Sequence, residues 1–126
     1  MSYQQKRLIP IYTTSGDVGA FLSFPYIFNR SGEWIGWVTD ERLVYAVTGY
    51  YVGFLSDDPR ILRKETADFR KPRLARPPVP DRLNPPATVP LAPMLPELTV
   101  GTFDVLDERP ELLPAFDFGD LEDDVG

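Results

Sequence analysis

Histidine and cysteine are both missing from the 126 residues. Without cysteine there is no disulfide, no thiol nucleophile and no thiolate metal site. Without histidine there is no imidazole to act as a base near neutral pH, and no ordinary zinc site. These absences predict a protein that is not an enzyme and holds no cofactor and no metal. Long apolar runs are missing as well: nothing approaches 18 residues, so no membrane-spanning helix is expected. The opening Met1-Ser2-Tyr3-Gln4-Gln5-Lys6-Arg7 is polar, and Leu8-Ile9-Pro10-Ile11-Tyr12 is too short and too proline-broken for a signal sequence. The expected setting is the cytoplasm, with which a cysteine-free chain is compatible. Basic charge is also in deficit, and a net charge of −6 disfavours nucleic acid as a partner.

What is present is a pattern written three times. Ile11-Tyr12-Thr13-Thr14-Ser15-Gly16 returns as Ile27-Phe28-Asn29-Arg30-Ser31-Gly32 and as Val44-Tyr45-Ala46-Val47-Thr48-Gly49. Each copy opens on a β-branched residue and an aromatic, which suit a half-buried pleated surface. Each closes on a glycine that can take the positive φ of a tight hairpin turn. A second block follows every time: Ala20-Phe21-Leu22-Ser23, Gly36-Trp37-Val38-Thr39 and Gly53-Phe54-Leu55-Ser56. The chain is therefore expected to be all-β, with three consecutive short hairpins. Gly16, Gly32 and Gly49 are its turn glycines. Gly36 and Gly53, inside strand patterns, mark a bulge or the close approach of another backbone. Arg60-Ile61-Leu62-Arg63-Lys64 reads as the leftover strand of a fourth, incomplete unit, in preference to a short helix started by Asp58 and Pro59.

The composition changes after this. Residues 1–65 hold the hairpin domain, 66–96 form a basic and then proline-rich linker, and 97–126 form an acidic tail, mostly disordered or extended. Nine of residues 72–96 are proline, which denies that stretch a ladder or a helix and leaves it extended. Residues 60–82 carry a charge of +5 and residues 97–126 a charge of −9. The tail either docks on a protein partner through its mixed acidic and apolar residues or serves as a solubilising end. Deleting residues 72–126 is expected to leave the domain folded.

Two chemical readings are weak. Asp40-Glu41 and Asp57-Asp58 occupy matching turns, where carboxylates more often hold the turn than form an acid–base pair. The glycine pairs Gly16/Gly19 and Gly32/Gly36 lack the Lys-Ser/Thr and the helix start of a phosphate loop. The aromatic row is more informative. Trp34, Trp37, Tyr50, Tyr51 and Phe54 fall on both faces of their strands. One face makes the core; the other needs a sister subunit, a sugar or nucleobase, or water. A 60–70-residue domain without a staple is marginal alone, which favours self-association.

The second and third units, residues 27–38 and 44–55, resemble the bacterial four-fold β-flower family over about residues 8–65. The resemblance implies an all-β domain assembled with four-fold symmetry as a homo-oligomer, a tetramer being favoured. It carries over no catalytic residue. The function that follows is a non-catalytic homo-oligomeric scaffold or protein-interaction module. The alternative is a small-ligand or carbohydrate binder using exposed Trp34 or Trp37 as a stacking platform.

Overall fold

Three turns close in the same way. Gly16, Gly32 and Gly49 have φ of 98°, 87° and 93°. Each donates its N–H to the carbonyl three residues earlier, on Thr13, Asn29 and Ala46, at 2.9, 3.0 and 2.8 Å. This is a type I turn ended by a left-handed residue, a common three-residue hairpin loop. The computed structural model describes residues 7–66 and 71–117. It places six strands around these turns: β1 (Ile9–Tyr12), β2 (Val18–Ser23), β3 (Tyr26–Asn29), β4 (Trp34–Val38), β5 (Leu43–Ala46) and β6 (Tyr51–Leu55). Residues 61–64 are a strand, β7 (Ile61–Lys64), and not a helix.

The return strand of each hairpin carries one extra residue. Pairing steps from Ile11↔Ala20 to Tyr12↔Val18, from Ile27↔Gly36 to Phe28↔Trp34, and from Val44↔Gly53 to Tyr45↔Tyr51. Gly19, Ile35 and Val52 are thus bulged, and bulges sharpen the local twist. The sheet curls accordingly. Its order is β1 to β7 and then β8 (Thr102–Asp104), without a crossover, and every pair is antiparallel. Tyr12 N–H donates to Pro59 O at 3.1 Å, so the first strand comes back against the stretch leading into β7.

The eighth strand, β8 (Thr102–Asp104), comes from the acidic tail and pairs with β7 from Leu62↔Asp104 to Lys64↔Thr102. This corrects the expected tail. Residues 102–104 continue the sheet, α1 (Val105–Glu108) and a 3-10 turn (Pro110–Leu112) follow, and Val105 and Leu113 are buried in the core. The physical reason is the open edge of β7. Unpaired strand N–H and C=O groups need partners, and the tail supplies them. The fold thus holds four hairpins: three are continuous, and the fourth is split by residues 65–101. Phe118 and the terminal acidic run lie outside the described residues.

Alternation sorts the side chains onto two faces. Ile11, Ile27, Val44 and Ile61, spaced by 16, 17 and 17 residues, join Ala20, Leu22, Val52 and Val105 inside the curl. Phe28, Trp34, Trp37, Tyr45 and Val47 form a second cluster outside. All five residues of β4 are buried, so that strand is covered on both sides.

Candidate recognition surface

What covers the outer aromatics is the chain's own proline-rich segment, residues 71–96, here called the strap. Val79 and Leu83 pack against the outer cluster. Tyr26 Oη donates to Pro78 O at 2.6 Å and Tyr12 Oη to Pro90 O at 3.0 Å. An aromatic hydroxyl reaching a carbonyl of an extended, proline-rich backbone is the chemistry of polyproline recognition, where the strand of peptide brings acceptors but few donors.

The strap also grips two hairpin turns in one repeated way. Leu74 N–H donates to Gly49 O and Leu83 N–H to Gly32 O, each at 3.0 Å. The preceding arginines match: Arg73 Nε donates to Thr48 O at 2.6 Å, and Arg82 Nη2 to Ser31 O at 3.1 Å. The leucine carbonyls fill the space a side chain would need. A Cβ on Gly49 would lie 2.4 Å from Leu74 O, and one on Gly32 1.9 Å from Leu83 O. Glycine at these turns therefore does two things, supplying the positive φ and leaving room for the strap. The sequence does carry a signal for this. Arg73-Leu74 precedes Pro77-Pro78, and Arg82-Leu83 precedes Pro85-Pro86. Reading the segment for proline content alone passes over that repeat.

The basic residues expected as a linker lie on aromatic rings. Lys71 sits 5.2 Å from the centre of the Tyr51 ring, Arg73 5.0 Å from Tyr50, and Arg76 5.0 Å from Phe116. Lys71, Arg73 and Arg76 are exposed, and cation–π contacts at exposed sites are attractive by about 0.5–1 kcal/mol each. Phe116 packs tilted against Trp34, with ring centres 5.2 Å apart, and its N–H donates to Trp34 O at 2.7 Å. Trp34 and Trp37 are consequently only 2% and 7% exposed and offer no open face to a sugar. Trp37 and Tyr45 lie stacked, 5.6 Å apart. Tyr50 is 59% exposed, and Phe54 and Tyr51 are half-buried. Burial raises the Tyr51 hydroxyl pKa, with the positive charge of Arg63 acting the other way.

Of the expected turn carboxylates, Asp40 and Glu41 are exposed. Asp57 is fully exposed, 3.7 Å from Arg42. Asp58 instead holds Arg60, whose side chain is 2% exposed, through Nη2 at 2.6 Å and Nε at 3.1 Å. Burial pulls the Asp58 pKa upward, but hydrogen bonds from Arg60 and Ser56 outweigh it and hold the carboxyl below its ordinary range. Arg60 further donates to Thr14 Oγ1 and to Pro96 O, both at 3.1 Å. Thr14 in turn donates its N–H and hydroxyl to Asp104 Oδ2, both at 2.8 Å. This chain of bonds ties the first turn, the entry to β7, the end of the strap and the end of β8 into one seam. A cleft of about 490 Å³ beside β7 is lined by Arg63, Glu65, Glu108 and Arg109, a mixture of both signs. Burial lowers the pKa of Arg63 there, and Arg109 adds to the lowering.

Comparison with known proteins gives one match. The family model described as 4-fold beta flower protein covers residues 3–102, reaching beyond the hairpins to take in the whole strap and the first residue of β8. No curated protein and no solved structure matches the chain.

Proposed function

The chain belongs to the 4-fold beta flower family, and we propose that it acts as a non-catalytic protein-interaction module whose outer aromatic face binds proline-rich segments. The observation that carries this reading is the strap itself, seated on Trp34, Tyr26 and their neighbours through carbonyl acceptors and cation–π contacts. A surface that orders its own proline-rich chain has the chemistry to order another of like sequence. The test is reconstitution. Replacing Leu74 and Leu83 by Asp releases the strap, and a synthetic peptide spanning residues 71–90 is then titrated in. A saturable change in tryptophan emission supports the reading; emission that does not respond overturns it.

Self-association is a separate part of the proposal. The aromatic face that suggested a homotetramer is covered within the chain, and four hairpins already stand in one molecule. Among the surfaces left for a homo-oligomer is the strap's outer side, where Leu91 and Met94 are 95% and 98% exposed. Light scattering decides it. A mass four times 14.3 kDa supports the tetramer, and a single 14.3 kDa species overturns it. No helix among the described residues is long and apolar enough to cross a membrane.

A further inference from the structure

The strap grips two of the three glycine turns, those at Gly32 and Gly49, and leaves the one at Gly16 open. Ser31 O and Gly32 O are taken by Arg82 and Leu83, and Thr48 O and Gly49 O by Arg73 and Leu74. The corresponding pair in the first hairpin is Ser15 O and Gly16 O, and among the described residues nothing donates to either. Gly32 and Gly49 are buried, whereas Gly16 is exposed. The space over Gly16 is also clear: a Cβ built there meets nothing within 4 Å. The strap passes this hairpin at Tyr12, through Pro90, and does not reach its turn.

We propose that the Ser15–Gly16 turn is a vacant third station that binds an arginine-leucine pair in a proline-rich segment of another protein. This rests on the recognition role argued above and specifies its ligand. The leucine N–H would bond Gly16 O, its carbonyl would enter the space over Gly16, and the arginine would reach Ser15 O. Asp17, exposed directly after the glycine, stands where Tyr50 holds Arg73 at the third turn, and its negative charge suits the same cation. The turn is already braced, since Asp107 accepts from Ser15 N–H at 3.1 Å and from its hydroxyl at 3.0 Å. A ligand therefore meets a fixed turn and spends little on ordering it. A second copy of the chain is a poor source, because the two Arg-Leu pairs of its proline-rich strap are engaged on its own turns.

The test uses the full ¹⁵N-labelled chain and a synthetic octapeptide with the sequence of residues 72–79. Saturable shifts confined to residues 14–18 are expected. Methylating the peptide's leucine nitrogen should abolish them, and Asp17→Lys should weaken binding at least tenfold while leaving the remaining spectrum unchanged. Shifts centred on Gly32 and Gly49, meaning strap displacement, would overturn the third station while leaving the recognition role intact. Absence of saturable shifts, or equal binding of the methylated peptide, would also overturn it. The reconstitution experiment above reads the recognition role independently.

Discussion

Asp58 and Arg60 are the residues on which acid should act. Arg60 is a buried cation, and removing its partner leaves charge uncompensated in a place water does not reach. The Asp58 carboxyl titrates below its ordinary value, so its contribution to stability is complete above about pH 4 and fades as pH falls through the lowered folded-state value. Asp58→Asn should therefore cost stability at pH 7, and the gap between variant and parent should narrow toward pH 2.5. Urea melts at the two pH values measure it; a gap independent of pH would remove the carboxylate from the account. Gly53 makes a second case at this scale. A methyl group there would lie 2.1 Å from Leu62 O, a backbone atom of the next strand with little freedom to retreat. Gly53→Ala should cost on the order of 2 kcal/mol or more, the range of overpacking, read as a lower urea midpoint with m unchanged.

Among the elements, the hairpins were open to sequence reading and the strap was not, for one physical reason. A hairpin repeats its chemistry at fixed spacing, so Ile11, Ile27 and Val44 announce one face and Gly16, Gly32 and Gly49 announce the turns. An extended proline-rich strand imposes no period of its own, and where it lies is decided by what it touches. Residues 97–126 misled differently. Their charge suggests a solvated tail, yet Val105, Leu113 and Phe116 go to the inner and outer clusters, and Phe103, Leu106 and Leu112 pack against the inner one. Asp104, buried at 2%, is satisfied by Thr14 and by the N–H groups of Leu106 and Asp107. Composition shows the charge but not such partners. Truncation tests the element directly. Removing residues 102–126 should expose the β7 edge and empty the sites of Val105 and Leu113, leaving a protein that aggregates or shows no cooperative melt by circular dichroism. A cooperative transition near that of the full chain would return β8 to the periphery.

For the whole molecule, the split fourth hairpin sets an order of events. Three hairpins close loops of three residues, while β7 and β8 are joined across residues 65–101. Closing the longer loop costs roughly 2 kcal/mol more in chain entropy, by the logarithmic growth of loop cost with length. The continuous hairpins should therefore form early and the seam last. Substitutions in β8 should then leave the refolding rate almost untouched and raise the unfolding rate. Val105→Ala offers the clearest reading in stopped-flow chevrons, since its side chain is fully buried; a slowed refolding limb would place it in the nucleus. The same order bears on birth at the ribosome. Until residues 102–104 have emerged, the growing protein presents a strand edge with no mate, and the segment that will cover its aromatics is synthesised just before the strand that locks it down.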